Sequence, residues 1–242
     1  MRGRRGIGAT WVVPGYACVH GVPLHPLLTM LADGSLLCPL RGIWADGTGD
    51  ALLFRSGDGG ETWRLHRAIA GFKDELSIVE VDRSGVLLGH IRHGYRWGHP
   101  EDDRIYALEV WSEDNGMTWT HPVEASFQGY PNHLLKLRDG RILCTFGYRR
   151  KPMGVRALIS EDGGRTWDLD REHVLRDDGG TTSDAWGPEK QEIPGFGSSD
   201  VGYPTSVELA ENGSIVTVYY ITTPDAITHV AATRWHVDED RS

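Results

Sequence analysis

The pattern Ser-x-Asp-x-Gly-x-Thr-Trp is written three times in 242 residues, as SGDGGETWR from Ser56, SEDNGMTWT from Ser112 and SEDGGRTWD from Ser160. The copies start 56 and 48 residues apart, at or just beyond the upper end of the periods that mark solenoids and propellers. A chain that repeats one unit at this spacing folds as an array of like modules, so the repeat limits the fold more than composition does. Each copy follows a run that mixes polar and apolar residues in strand fashion, DALLFR, RIYALEVW and GVRALI. The repeated turn therefore joins two strands.

The residue types explain the turn. Asp58, Asp114 and Asp162 can accept hydrogen bonds from backbone N–H groups a few residues on, and Gly60, Gly116 and Gly164 suit a turn position with positive φ. Trp63, Trp119 and Trp167 then tuck beneath it and bury a large apolar area. The aspartates read as structural, not catalytic. Calcium is the competing reading, but one carboxylate per loop is too few for an oxygen cage, so no metal is expected.

A second unit precedes each turn: LLTMLADGSLLCPLRG from Leu27, LSIVEVDRSGVLLGHIR from Leu76, HLLKLRDGRILCTFGYR from His133, and SVELAENGSIVTVYY from Ser206. Each is a strand, a glycine-containing tight turn and a second strand, the signature of a hairpin. Hairpin plus box strands make four units over about 24–70, 71–125, 126–175 and 200–237, with a polar loop over 176–200. All of 1–242 is read as one all-β domain. The fourth unit has its third strand, THVAATRW, but no acidic turn after it.

Charge and composition narrow the function. With 25 basic and 34 acidic residues, a net charge of −9 argues against a nucleic-acid partner. No apolar stretch approaches the roughly 20 residues of a membrane-spanning helix. ATWVVPGYACV is short and interrupted by Pro14, so it reads as a broken strand and not as a signal peptide, and a cytoplasmic location is the expectation. Cys38 and Cys144 occupy the same repeat position, four residues after Gly34 and Gly140. Equivalent positions on separate modules do not meet, so they and Cys18 are expected as thiols.

The boxes resemble the Asp boxes of the sialidase (neuraminidase) superfamily, whose fold is a six-bladed β-propeller, and the resemblance runs from about Leu24 to Trp235. It implies a β-propeller of which about four four-stranded blades are present, arranged as an arc lacking roughly two N-terminal blades. It also implies an exo-acting glycoside hydrolase, without a cofactor, that removes a terminal sialic acid or other acidic sugar from a glycoconjugate. The same boxes occur in non-enzymatic propellers, so they bear on the fold more than on the reaction.

In a propeller the inner strands line the central funnel. Aligned on their turn glycines, Gly34 and Gly85, the hairpins place Arg41 and Arg92 at the same position, seven residues on. Glu75 and Arg92 are 17 residues apart and resemble the family segment in which a glutamate opens an inner strand and an arginine closes the next. The resemblance gives Glu75 the service of the nucleophile and Arg92 a place in an arginine triad that clamps the substrate carboxylate. GYPTSVELAENG resembles the segment opened by the nucleophilic tyrosine, with Pro204 where the family has serine, so Tyr203 is the candidate. GYPNHLLKLRDG puts Tyr130 at the same place one unit earlier, which leaves open that Gly-Tyr-Pro is merely how a blade begins. For another clamp arginine GYRRKPMGVRALIS offers Arg149 first, then Arg156, with Arg150 read as a solvated loop residue. The family's first-blade Arg-Ile-Pro motif and the acid/base aspartate after it have no counterpart here. Asp46 and Asp50 follow Arg41 but read more plainly as a turn, so half an active site is expected.

A tyrosine suits such a substrate because a sialic acid carries its own carboxylate on the anomeric carbon, which would repel an Asp or Glu nucleophile. Its phenol ionises near pH 10 in solution, so a neighbouring carboxylate must take the proton during attack. Arginine supplies planar, permanently charged partners for the sugar carboxylate. Two other classes stay open. One is a glycosidase or lyase on another acidic sugar with His25, His93, His99 or His133 as proton carrier, and the other a non-catalytic carbohydrate- or protein-binding propeller.

Overall fold

Each unit starts with a hairpin whose turn is closed by its own side chain. Asp33, Asp82, Asp139 and Asn212 each accept a hydrogen bond from the backbone N–H two residues on, at Ser35, Ser84, Arg141 and Ser214. The computed structural model describes residues 18–20, 28–43, 49–69, 75–93, 106–149, 152–180, 201–225 and 227–237. In these, four antiparallel sheets follow one another along the chain. The first holds β1 (Cys18–His20), β2 (Thr29–Met30), β3 (Leu36–Ile43), β4 (Gly49–Ser56) and β5 (Arg64–Ile69), with both β1 and β2 paired to β3. The second is β6 (Leu76–Glu80), β7 (Leu87–His93), β8 (Tyr106–Ser112) and β9 (Val123–Gln128) in order. The third is β10 (Asn132–Lys136), β11 (Ile142–Tyr148), β12 (Met153–Ser160) and β13 (His173–Gly179), and the fourth is β14 (Val201–Glu208), β15 (Ile215–Thr222) and β16 (Thr228–Trp235).

This is the meander of propeller blades, and the repeat is seen in the packing between them. Strand alternation sends successive side chains to opposite neighbours. Leu87 belongs to the core shared with the first sheet, whereas Leu88 belongs to the core shared with the third. Likewise Cys144 packs toward the second sheet and Leu143 toward the fourth. The last residue of each inner strand then latches the turn of the blade before it. Glu80 accepts from Ala32 N at 2.7 Å, Lys136 Nζ donates to Val81 O at 2.6 Å, and Glu208 accepts from Arg138 N at 2.8 Å.

The box turns hold as their chemistry requires. In the first, Asp58 accepts from Ser56 Oγ, Thr62 N and Thr62 Oγ1, and Trp63 Nε1 donates to Gly60 O at 3.0 Å. The second and third repeat the serine and threonine bonds at Asp114 and Asp162. The fourth sheet cannot form the turn. Ser56, Ser112 and Ser160 stand opposite Leu36, Leu87 and Ile142, but the residue opposite the equivalent Ile215 is Trp235. An indole there fills the core with the third sheet, and the box hydroxyl is lost.

Hydrogen bonds from Thr62 and then Ser56 hold the Asp58 carboxyl down at about 2, and those from Thr118 and then Ser112 do the same for Asp114. At Asp162 burial pushes upward, but Thr166, Ser160 and Arg165 outweigh it and the value is again about 2. These folded values lie below the ordinary carboxylate range near 4. Their stabilisation is therefore complete above about pH 4 and is lost as pH falls through about 2. Asp162→Ala is expected to lower stability by about 1 kcal/mol at neutral pH, the worth of a few exposed hydrogen bonds, and to shrink the acid-induced loss; urea melts at pH 7 and pH 3 measure both.

Two readings of the sequence change here, and the reading of Cys38 and Cys144 as thiols stands. Asp50, taken with a turn, lies in β4 opposite Gly42 and is buried. Arg176 to Gly179, taken with the polar loop, belong to β13, and residues 181–200 lie outside the described residues. Cys38 and Cys144 are free thiols; burial pushes Cys38 up to about 11 and Cys144 up as well. The side chain of Cys18 lies outside the described residues.

Candidate active site

Register places the site at the blade edge opposite the box turns. In the second sheet Leu87 pairs with Ser112 at the box end, and Arg92 pairs with Ala107 at the other. Glu75 stands just before β6, and its carbonyl accepts Arg92 N at 2.8 Å. The two are thus cross-strand neighbours, which is what their 17-residue spacing encodes. Arg92 Nη1 donates to both carboxylate oxygens of Glu75, at 3.0 and 3.1 Å.

Tyr203 arrives from the fourth sheet by a local irregularity. Gly202 pairs with Tyr220 and Thr205 with Val218, so Tyr203 and Pro204 together face Tyr219 in a bulge. Tyr203 takes φ +51°, a left-handed conformation that costs a non-glycine residue about 1 kcal/mol or more. The bulge also accommodates Pro204, whose missing N–H would leave a gap in a regular ladder. The outcome is that Tyr203 Oη donates to Glu75 Oε1 at 2.7 Å and accepts from Arg92 Nη1 at 3.2 Å. Tyr220 stacks on the Tyr203 ring, with centroids 5.8 Å apart.

Arg149 borders the same cluster. It follows β11, is 6% exposed, and its Nε donates to Val201 O at 3.0 Å, two residues before Tyr203. The Tyr130 ring, buried at 2% exposure, lies beneath both guanidiniums, 4.5 Å from Arg92 Cζ and 5.3 Å from Arg149 Cζ.

Burial raises the Tyr203 phenol well above its ordinary range, and the negative Glu75 and its hydrogen bond add to this; Arg92 and Arg149 pull the other way but do not prevail. The phenol thus keeps its proton at neutral pH. An acceptor is already in place at 2.7 Å, so proton transfer to Glu75 can accompany attack by the oxygen.

Other candidates lie elsewhere. Arg156 does not reach the cluster: it pairs with Glu172, and its Cζ sits 3.6 Å from the Tyr148 ring centroid. Its charge is already matched, so of the two arginines considered for this blade, Arg149 is the one at the site. His133 is committed to the blade interface, where Nδ1 accepts from Ser206 N at 2.9 Å. Arg41 has its backbone in β3 opposite Ala51, and its side chain, like that of His93, lies outside the described residues. His25, Asp46, His99 and Arg150 also lie outside them. Sequence reasoning missed the place of Tyr130 under the arginines and of Tyr220 on Tyr203. The Gly-Tyr-Pro at Gly129, the first of the two copies, was the signal for the former; the latter had none.

Residues 7–217 match the family of BNR repeat-like domains. The chain belongs to the BNR repeat-like family, and with it to the sialidase superfamily. Among curated relatives, this BNR repeat-like chain is 29% identical over 158 residues to a sialidase of Bacteroides fragilis (strain YCH46), covering 60% of this chain and 27% of the relative. Among solved structures it is similar to a protein of unknown function from Dyadobacter fermentans DSM 18053, with TM-score 0.63 and 28% identity over 86% of this chain and 52% of the other. It also resembles the Hadza microbial sialidase Hz136, with TM-score 0.57 and 19% identity over 86% of this chain and 36% of the other. The BNR repeat-like chain therefore spans about a quarter of the length of the sialidase relative and about half of the Dyadobacter protein. Its fold is a propeller of the glycoside-hydrolase type. Among the described residues no helix is long and apolar enough to cross a membrane.

Proposed function

We propose that this chain carries the covalent half of a sialidase-type exo-glycosidase site. Tyr203 is the nucleophile, Glu75 the base that receives its proton, and Arg92 with Arg149 the receptors for the carboxylate of a terminal acidic sugar. The observation that carries this reading is the Tyr203 Oη to Glu75 Oε1 hydrogen bond at 2.7 Å, with Arg92 on the same phenol oxygen at 3.2 Å. A tyrosine paired to a carboxylate beside two arginines suits an anomeric centre that bears its own negative charge. A binding module gains nothing from holding a tyrosine at φ +51° against a carboxylate, so the catalytic reading is preferred to the binding one.

The chemistry is tested without the acid that protonates an ordinary leaving group. With 3-fluorosialosyl fluoride the Tyr203 oxygen forms a bond to C2 as the C2–F bond breaks. Fluoride leaves with the bonding pair, and the phenol proton passes to Glu75. Fluoride needs no protonation to depart, so the assay reads only the residues named here. A fluoride electrode is expected to record a burst of about one equivalent per chain. In Glu75→Gln the burst is expected to slow by roughly 10²-fold, the usual worth of a positioned base. No burst from the wild-type chain contradicts the proposal, and an equal burst from the fluoride of a neutral sugar contradicts the substrate class.

A further inference from the structure

We infer that Tyr130 is a positioning residue: its ring is a shared platform that holds Arg92 of the second blade and Arg149 of the third in place for a substrate carboxylate. This rests on the acidic-sugar reading above and adds to it the element that assembles the clamp.

The two Gly-Tyr-Pro segments open the third and fourth blades, yet their tyrosines do different things. At the second, Gly202 and Tyr203 both take positive φ, and the phenol is delivered to Glu75. At the first, only Gly129 has positive φ, at +150°, and the Tyr130 ring stays beneath the arginines. Two guanidinium groups brought to one poorly solvated spot repel each other. The negative face of an aromatic ring attracts both, and this attraction is larger where water is excluded. With Cζ atoms at 4.5 and 5.3 Å from the centroid, both arginines are within reach of that attraction.

The platform is itself fixed. Tyr130 N donates to Gly147 O at 3.0 Å, two residues before Arg149. A Cβ on Gly129 would lie 2.1 Å from Phe146 Cδ2, and one on Gly147 would lie 3.0 Å from both Tyr130 O and Val201 O. Gly147, near the end of β11, is therefore pressed against both Tyr130 and Val201, the first residue of β14, which leaves the backbone around Tyr130 little room to shift. Arg149, through Val201 O, ties the same unit to the segment that presents Tyr203.

The test is a calorimetric titration of wild type, Tyr130→Phe and Tyr130→Leu with the 2,3-unsaturated glycal of N-acetylneuraminic acid and with its methyl ester. Phenylalanine keeps the ring face and is expected to bind the acid as wild type does. Leucine keeps the apolar bulk but has no ring face, and its affinity for the acid is expected to fall roughly tenfold or more, while the uncharged ester binds all three alike. Acid binding unchanged in Tyr130→Leu overturns the inference, as does an equal loss for acid and ester, which marks a packing defect. Absence of acid binding by the wild type sinks the acidic-sugar reading alone. The platform is then decided by the arginine side-chain Nε–H resonances, assigned with Arg149→Lys. Ring-current shifts present in wild type and Tyr130→Phe and absent in Tyr130→Leu support it, and unchanged shifts overturn it.

Discussion

In Tyr203→Phe the fluoride burst is expected to vanish, with the rate down by about 10³-fold or more, as when other nucleophiles are removed. The substitution deletes one oxygen and little else. The ring that stacks on Tyr220 remains, and the Glu75–Arg92 pair at 3.0 Å stays closed, so no buried charge is stranded. Stability should change by no more than about 1 kcal/mol, the net worth of a hydrogen bond. Loss of the burst with an unchanged melt is the signature of a chemical role, and a full burst in the variant removes Tyr203 from the mechanism. Because burial and Glu75 raise the phenol, the wild-type burst rate is also expected to show no increase as pH approaches the ordinary tyrosine range near 10.

The largest effect on stability is expected at Gly154. It lies in β12 where the pairing with β13 shifts register, and a Cβ there would fall 1.8 Å from Arg176 O and 2.5 Å from Arg176 C. Both are backbone atoms, so no side chain can swing aside. The two strands must separate, and Met153 and Val155 are pulled from the core they share with Val201, Tyr219 and Ile221. Gly154→Ala is expected to cost about 3 kcal/mol or more, at the upper end of overpacking. Gly34→Ala, in an open turn at φ +81° with nothing within 4 Å, should cost about 1 kcal/mol. Urea melts of the two rank them, and equal midpoints would contradict this packing.

Much of the fold was legible because its chemistry is local. A box aspartate meets its serine and threonine partners within its own turn, and the hairpin aspartates meet an amide two residues on. Such contacts leave a pattern in a short window. Glu75 and Arg92 were legible for a related reason, since one hairpin makes them opposite neighbours, although their roles came from the family resemblance. What depends on another blade was not legible. The choice between Arg149 and Arg156 turns on Glu172, which occupies one, and on Val201, which anchors the other. Pro204, which stands where the family has serine, sits in a bulge that only the pairing with β15 reveals. Tyr130 and Tyr203 share a tripeptide, and backbone φ separates them.

Whether Tyr203 forms a bond to the sugar is decided by mapping the point of attachment. The intact chain is treated with 3-fluorosialosyl fluoride, digested, and its peptides sequenced by tandem mass spectrometry. A single fluorosialosyl adduct is expected on the phenol of Tyr203, absent from Tyr203→Phe. An adduct on Tyr130, on Glu75 or on any other side chain, or a chain that releases fluoride and carries no sugar, would contradict it.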